Sequence, residues 1–518
     1  MNEKMTQKVK QSIVKVVGIG SNYNTVQPYL IETDFESGGT GFFINKKVLG
    51  DALPGKDKRY LLTNFHVVQN YSSQTCNIEW PERAGSFMKA KVIFVVPNID
   101  VAVLEIDPYG DQPQWWAQDQ AEYLENISNL TLDENTMIRG QSQRVRAIGF
   151  PNLCDDRQLS DGTLCGRGCG MLQLDITLNG GNSGGPLFLK NKVIGINTAS
   201  VAESERISLA IPISMVCNFF KKWTNFESPL LRTPAYGFHY KVLTKDYLQF
   251  KGIETSFEGA LVKQVLEGTA ADKAGLKEND ILLGLTSNGK RFNINCFGKI
   301  SVPYCDALVS LDDVEFLLHL DNDVEFSVLR GQRQLEIKVQ PQPIDFKVRK
   351  RYPNYENIDY LCFGGMVFME LNMNHLTDED DEEEARDDIS TLLHNLKESV
   401  GMKTMVICTH ITPQSHVSVD NSFSEYDEIV ALNKKKIKSL HHLKSILDDI
   451  CLSFHSGRVK FVEIETKSDT HIYSLERLQT QELTDALRTG FPKEKLRLLP
   501  QPEALPKRKR RKRNILTF

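Results

Sequence analysis

The residue best placed to do chemistry is Ser183, within the stretch GNSGGPL at residues 181–187. A serine hydroxyl becomes an effective nucleophile only when a base takes its proton and hydrogen-bond donors stabilise the oxyanion it creates. Glycines on both sides of the serine expose its hydroxyl and let the backbone N–H groups of Gly181 and Ser183 converge on one point. The stretch therefore predicts a nucleophile with an oxyanion hole. An ordinary glycine-rich loop is the alternative.

A candidate base and a candidate acid precede this serine in the chain. His66 follows the apolar pair Leu61 and Leu62, and Asp100 stands immediately before the apolar run 101–104. The order histidine, aspartate, serine is used by double-barrel proteases and differs from that of subtilisins and α/β-hydrolases. In this interpretation His66 is the general base and then the general acid, Asp100 orients its ring, and Ser183 attacks the carbonyl carbon. Taken singly, His66 would be a structural histidine and Asp100 a turn residue, so the hypothesis depends on all three together.

The segments around these residues resemble HtrA/Deg serine proteases, in particular those of plants and other eukaryotes. The resemblance covers residues 10–220. Its segments are 38–44 (GGTGFFI), 63–68 (TNFHVV), 100–104 (DVAVL), 147–151 (AIGFP), 172–187 (from LQLD to GGPL) and 209–212 (LAIP). The resemblance implies an ATP-independent serine endopeptidase that acts on unfolded or exposed protein segments. It also implies a homotrimer or a multiple of it.

Two positions argue against a trypsin-type enzyme. Asn182 stands where trypsins carry the aspartate that pairs with a newly cut N-terminus, so no zymogen activation is expected. Thr177, six residues before Ser183, replaces the acidic specificity residue and predicts cleavage after small or medium apolar residues. We expect the strand Ile196, Asn197 and Thr198 to pair with the backbone of an extended substrate.

Composition limits where the chain acts. Its 518 residues suggest about three domains, and 41% hydrophobic and 25% charged residues are typical of a soluble globular protein. Residues 1–8 lack the apolar core of a signal peptide. No run approaches the roughly 18 apolar residues of a membrane span. We therefore expect an intracellular protein that is not secreted, in the nucleus or cytoplasm, without a membrane partner.

The ten cysteines suit a reducing compartment better than a disulfide framework. Cys154, Cys165 and Cys169 cluster between residue 151 and the nucleophile strand. Free thiols, redox control and zinc binding are all open for this cluster, with zinc least favoured because no fourth ligand is apparent. No G-x-x-x-x-G-K-[ST] motif occurs. We expect no metal and no cofactor.

The pattern of strands and turns predicts a mainly β protein. Residues 1–225 should form a chymotrypsin-like protease domain of two antiparallel β-barrels, followed by two PDZ-like α+β domains. The first PDZ-like domain, 236–345, resembles Deg PDZ modules at 269–276 and 278–285. Its predicted ligand-binding residues are Gly259, Ala260, Leu261 and Val262, on which a peptide would add as a β-strand. A PDZ fold without a ligand is the alternative.

A weaker copy of the same unit is predicted over 346–475, with FGGMVF at 363–368 resembling the carboxylate-binding loop. An acidic insertion at 378–388 interrupts it. This insertion is too charged to bury and is expected to be a solvated loop, with masking of a basic surface as the alternative.

The C-terminal tail, 496–518, contains seven consecutive basic residues at 507–513. They contribute +7 to the net charge of −5, so the other 511 residues together carry −12. Such a run favours nuclear targeting, with nucleic-acid binding and simple solubility as alternatives. Any nucleic-acid contact would be through this tail and sensitive to salt.

The sequence therefore indicates two alternative functions. The first is a serine endopeptidase of protein or peptide substrates. The second is a PDZ-based binding or chaperone scaffold in which proteolysis is dormant.

Overall fold

The computed structural model describes most of the chain and divides it into two compact units. The described residues are 9–50, 58–83, 85–106, 114–134, 142–168, 170–200, 207–222, 228–302, 305–312, 324–375, 403–420, 424–488 and 497–498. The first unit comprises Met1–Asn22, Thr33–Asp345 and Asn354–Glu356, and the second comprises Tyr23–Glu32, Phe346–Pro353 and Asn357–Phe518. Two short segments thus belong to a different unit from the residues on either side of them in sequence: Tyr23–Glu32 belongs to the second unit and Asn354–Glu356 to the first.

Six antiparallel strands close the first barrel. They are β1 (Ile13–Tyr23), β2 (Ile31–Ile44), β3 (Arg59–Thr63), β4 (Thr75–Glu79), β5 (Phe87–Val96) and β6 (Val101–Ile106), in the order β1-β2-β3-β6-β5-β4. Exposed and buried side chains alternate along the first half of β5, as a strand with one face on a core requires. The one-turn helix α1 (Phe65–Val68) follows β3, and helix α2 (Gln114–Asn126) follows β6.

A second six-stranded barrel follows. Its strands are β7 (Gln143–Gly149), β8 (Gln158–Gly168), β9 (Met171–Asp175), β10 (Pro186–Leu189), β11 (Lys192–Ser200) and β12 (Ile207–Pro212), in the order β10-β11-β12-β9-β8-β7. Helix α3 (Ile213–Lys222) continues from β12 and buries most of its length, including Phe219 and Phe220. Short 3₁₀ turns lie at Lys46–Leu49, Pro81–Arg83, Pro97–Ile99 and Pro151–Leu153. The predicted double barrel is confirmed.

The rest of the first unit is a further antiparallel sheet. Strands β13 (Phe238–Val242), β14 (Ala260–Val265), β15 (Ile281–Ser287), β16 (Lys290–Asn293), β19 (Val324–Arg330) and β20 (Arg333–Val339) form it in the order β13-β14-β15-β19-β20, with β16 also on β15. Strands β17 (Lys299–Val302) and β18 (Cys305–Ser310) pair separately, and helices α4 (Lys245–Phe250) and α5 (Ala270–Lys273) flank β14 in sequence. Tyr236 and Phe238 pack edge-to-face on the buried ring of Phe326.

Within its described residues, the second unit has two sheets and three helices. Strands β21 (Tyr360–Phe363), β22 (Met366–Glu370) and β23 (Val406–Ile411) form one sheet. Strands β24 (Ile429–Leu432), β25 (Lys435–Lys436), β26 (Phe461–Thr466) and β27 (Thr470–Ser474) form the other in the order β25-β24-β26-β27. The helices are α6 (His416–Asp420), α7 (Leu440–His455) and α8 (Leu475–Arg488), and a 3₁₀ turn lies at Met373–His375. Helix α8 extends past residue 475, where the sequence placed the domain end.

The residues of helix α7 explain where it begins and which face it buries. The Ser439 hydroxyl accepts the backbone N–H of His442 and so caps the helix N-terminus. The buried side chains Leu440, Leu443 and Leu447 recur at helical spacing and face the core of the unit. The acidic insertion and the basic tail predicted from the sequence lie outside the described residues.

Candidate active site

The turn that carries Ser183 requires its glycines. Gly181 and Gly184 have φ of 89° and 85°, a region that residues with a Cβ avoid. A Cβ on Gly181 would lie 2.2 Å from the Phe150 carbonyl oxygen, and one on Gly184 would lie 2.1 Å from the Thr40 carbonyl oxygen. Backbone atoms cannot move aside as a side chain can. The local conformation therefore requires glycine at positions 181 and 184.

Thr40, on β2, fastens this turn from the first barrel. Its hydroxyl donates to the Gly181 carbonyl at 2.7 Å, and its backbone N–H donates to the Ser183 carbonyl at 2.8 Å. The same hydroxyl oxygen accepts the Phe150 N–H at 3.1 Å, and Thr40 is fully buried. Thr40 therefore holds the carbonyls of the two residues that flank Asn182 and ties the serine turn to the first barrel. Nothing in the local sequence around Thr40 points to this contact.

Asp100 makes four hydrogen bonds to the histidine helix and the residue before it. Its Oδ2 lies 2.8 Å from His66 Nδ1, and its Oδ1 accepts the His66 backbone N–H at 2.9 Å. Its carbonyl accepts the Phe65 N–H at 3.2 Å and the Asn64 side-chain amide at 2.9 Å. Asp100 has φ of 52° and ψ of 46°, the left-handed conformation that aspartate tolerates better than most residues. The carboxylate thereby fixes both the ring and the backbone of His66.

Thr198 joins the aspartate to the serine. Its hydroxyl donates to Asp100 Oδ2 at 2.5 Å, and its carbonyl accepts the Ser183 hydroxyl at 2.9 Å. A hydroxyl has one proton, so in this arrangement Ser183 does not donate to His66. The sequence placed Thr198 only in the substrate strand. Thr198 lies at a register shift of β11, between Asn197 and Ala199, which sets its side chain toward Asp100. A sequence pattern does not reveal such a shift.

The expected substrate strand at Ile196–Thr198 needs a correction. Ile196 pairs with Pro186 on β10 and with Ile211 on β12. Asn197 is likewise bound on both sides, by Gly185 and Ala210. Both residues are fully buried, so neither offers a free backbone edge. Thr177, the predicted specificity residue, is exposed between the buried Ile176 and Leu178.

The predicted peptide-binding residues Gly259, Ala260, Leu261 and Val262 also need a correction. Ala260 to Val262 pair with β13, Ala260 and Leu261 pair with β15, and Val262 N–H donates to the Asp280 carbonyl. A strand with partners on both sides cannot accept a third. A Cβ on Gly259 would lie 2.4 Å from the Leu282 carbonyl oxygen. These residues therefore form the interior of the sheet.

The FGGMVF segment in the second unit is a hairpin. Strand β21 covers one edge of β22, from Tyr360 opposite Met369 to Phe363 opposite Met366, and Gly364 and Gly365 make the turn. The buried carboxylate of Glu482 on α8 accepts the Gly364 N–H at 3.1 Å. The loop that resembles a carboxylate-binding loop in sequence thus binds the Glu482 carboxylate of the same chain.

The described cysteines bear on the redox and zinc alternatives. Cys154 and Cys165 are free thiols, and Cys169 lies outside the described residues. Among the residues that the structure describes, no group of three or more histidine, cysteine or acidic side chains could hold a metal ion.

No described helix has both the length and the apolar character needed to cross a membrane.

Two family models match the chain: a trypsin-like peptidase domain over residues 39–196 and a PDZ domain over residues 350–487. The chain is thus a trypsin-like serine protease that carries a PDZ domain. Protease Do-like 3, mitochondrial, of Arabidopsis thaliana is 24% identical over 454 residues, covering 85% of this chain and 72% of that protein. Protease Do-like 13 of the same plant is 22% identical, covering 91% and 88%. Serine protease HTRA1 of Xenopus laevis is 26% identical, covering 60% of each.

The chain belongs to the HtrA/Deg family, and it is a serine endopeptidase. The family expected from the sequence motifs is confirmed.

Proposed function

We propose that His66, Asp100 and Ser183 form a catalytic triad that hydrolyses peptide bonds in unfolded or exposed protein segments. One observation carries this proposal: Thr198 binds the Asp100 carboxylate through its hydroxyl and the Ser183 hydroxyl through its carbonyl. The nucleophile and the acid therefore lie on two sides of one residue, while Asp100 holds the ring of His66. In a triad the acid orients the ring of the base, as Asp100 does here, and the base takes the proton of the serine hydroxyl.

The reaction needs one local rearrangement. The Ser183 hydroxyl must turn from the Thr198 carbonyl to Nε2 of His66, which then accepts its proton as Ser183 Oγ attacks the substrate carbonyl carbon. The N–H groups of Gly181 and Ser183 would stabilise the oxyanion. Protonated His66 gives its proton to the leaving amine. A water molecule, deprotonated by His66, then releases the acyl group from Ser183. Hydrogen bonds of this kind are often loose without substrate.

The substrate would bind along the end of β11. Strand β10 begins at Pro186, opposite Ile196, so the β11 backbone from Thr198 to Ser200 extends beyond this pairing. An extended peptide can continue the sheet there by main-chain hydrogen bonds. Thr177 is neutral, and a basic side chain buried without a partner is costly. We therefore expect cleavage after small or medium apolar residues.

The wider setting rests on the family and the sequence. Homotrimers or multiples of them, a nuclear or cytoplasmic location, and targeting by the basic run at 507–513 are parts of this proposal. Nucleic acid would be a partner only through that run. The absence of a nucleotide-binding motif in the sequence supports selection of substrates by accessibility, without ATP.

One observation favours the scaffold alternative as a resting state. The Ser183 hydroxyl is held by the Thr198 carbonyl, so the nucleophile is not activated in this conformation. In the scaffold alternative this state persists with substrate present.

Casein digestion by the full chain tests the proposal, with Ser183→Ala as the matched control. The proposal predicts fragments from the wild-type protein alone, with termini that follow small or medium apolar residues in mass spectra. Casein left intact by both proteins would favour the scaffold. Equal digestion by both would show that Ser183 is not the nucleophile. Termini that mostly follow Lys or Arg would contradict the assignment of Thr177.

A further inference from the structure

The helix that carries His66 cannot hold its own position. Helix α1 spans only Phe65–Val68, a single turn, and one turn gains too few hydrogen bonds to offset the entropy of ordering it. Its N-terminal end is fixed by Asp100, which accepts the N–H groups of Phe65 and His66. Its C-terminal carbonyls need donors from elsewhere, as they do in every helix.

Those donors come from a segment almost three hundred residues away in sequence. The Tyr355 hydroxyl donates to the Val68 carbonyl at 2.9 Å. The side-chain amide of Asn354 donates to the Gln69 carbonyl at 3.1 Å. The amide of Gln74 donates in turn to the Asn354 carbonyl. These three contacts hold both ends of the turn 69–74, which follows the helix.

The Tyr355 ring also packs beneath the helix. Its centroid lies 5.8 Å from that of Phe65 with the planes tilted by 60°, and both rings are buried. Phe65 and Val68 are three residues apart and so share one face of the helix, with His66 between them in sequence. Burial raises the pKa of the Tyr355 hydroxyl well above its usual range, so it remains a neutral donor.

Residues Asn354–Glu356 lie inside the range of the matching PDZ domain model, and their neighbours on both sides in sequence belong to the second unit. They are nevertheless part of the first unit. Among the described residues of the trypsin-like range 39–196, one other group donates a hydrogen bond to the Val68 or Gln69 carbonyl. It is the backbone N–H of Tyr71, which donates to Val68 at 3.1 Å.

We propose that Tyr355 and Asn354 are positioning residues for catalysis, which hold helix α1 so that His66 stays aligned between Asp100 and Ser183. This inference rests on the proposed triad. The protease domain of this chain would then be incomplete without a segment from beyond its own fold. The reaction should respond to these two side chains although neither contacts the substrate.

The test compares full-length variants Tyr355→Phe, Tyr355→Leu and Asn354→Ala with the wild-type protein. Hydrolysis of a casein-derived fluorogenic peptide is measured, and the number of active sites is titrated with a fluorophosphonate. We expect kcat per titrated site to fall roughly threefold in Y355F and N354A and roughly tenfold or more in Y355L, because small misalignments of a catalytic group are costly. KM should change by less than about twofold, since substrate binding is not touched.

Tyr247→Phe is the matched control, because the Tyr247 hydroxyl also donates a hydrogen bond, in its case to the Asn279 side chain, but lies outside the barrels. Its kcat should equal that of the wild-type protein. Wild-type kcat per titrated site in Y355L and N354A would overturn the proposal, as would an equal loss in Y247F. Should Y355L fail to fold, Y355F and N354A decide. An inactive wild-type protein would instead remove the triad proposal itself.

Discussion

The serine side and the histidine side of the active site are held in different ways. The turn around Ser183 takes its shape from its own glycines and is fastened by one buried residue, Thr40. The helix of His66 is a single turn that depends on contacts at both ends, from Asp100 and from Tyr355. Rigid backbone geometry supports the nucleophile, whereas distant side chains support the base. The two sides should therefore fail differently when they are mutated.

The largest effect is expected from removing the reacting groups. Ser183→Ala and His66→Ala should each lower kcat by roughly 10⁴-fold or more, and the double variant should be no worse than either single one. The reason is that nucleophile and base act as one unit. Peptide hydrolysis by the three variants, with circular dichroism to show that they fold, checks this. Additive losses in the double variant would contradict a shared mechanism.

Asp100 should have the next largest effect. Asp100→Asn keeps the shape of the side chain but favours the wrong imidazole tautomer, and a loss of roughly 10³- to 10⁴-fold in kcat is expected. Thr198→Val removes the hydroxyl that donates to Asp100 Oδ2 but leaves the carboxylate, so its loss should be much smaller. Steady-state kinetics of both variants measure the difference. Equal losses would assign the main role to Thr198.

Gly184→Ala tests the rigidity of the serine side. The new Cβ would meet the Thr40 carbonyl oxygen at 2.1 Å, and the φ of 85° is unfavourable for alanine. We expect roughly 2 kcal/mol or more of lost unfolding free energy, together with loss of activity. Gly180→Ala is the control, because no atom beyond its immediate neighbours in the chain lies within 4 Å of its Cβ position. Equal denaturation curves for G184A and the wild-type protein would show that the turn can adapt.

The smallest effect on this side should come from the Thr40 hydroxyl. Thr40→Val leaves the Gly181 carbonyl without its donor, which should cost about 1–3 kcal/mol of stability and lower kcat roughly tenfold. Thr40→Ser keeps the hydroxyl and should restore most of the activity. The kcat of the two variants per titrated site distinguishes the hydroxyl from the packing. If T40S is as impaired as T40V, the hydrogen bond is not what matters.

Much of this arrangement follows from local sequence. The glycines of GNSGG permit the positive φ values that the turn around Ser183 needs, so this turn is predictable, and the alternating strands predict the two barrels. The strand edges were predicted less well. The register shift after Asn197 changes which backbone groups of β11 are left for a substrate. Strand β14 has neighbours on both sides because β13 pairs with it, which depends on the position of β13 in the sheet. Neither is encoded in the residues of the strand itself.

The supports from afar could not be predicted at all. Thr40 acts on Gly181 across 141 residues, and Tyr355 acts on Val68 across 287. Each is an ordinary residue in its local context, and only the folded chain brings the partners together. The hairpin β21–β22 is a similar case, because Gly364 and Gly365 are equally suited to a ligand loop and to a tight turn.

Fluorophosphonate labelling of the folded full-length chain tests the central claim most directly. The reagent reacts with a serine only when a base activates it and the oxyanion hole is formed. The account predicts a single labelled residue, Ser183, found by peptide mass spectrometry, with the rate of labelling strongly reduced in H66A and in D100N. No label on Ser183, or labelling at the wild-type rate in H66A, would contradict it.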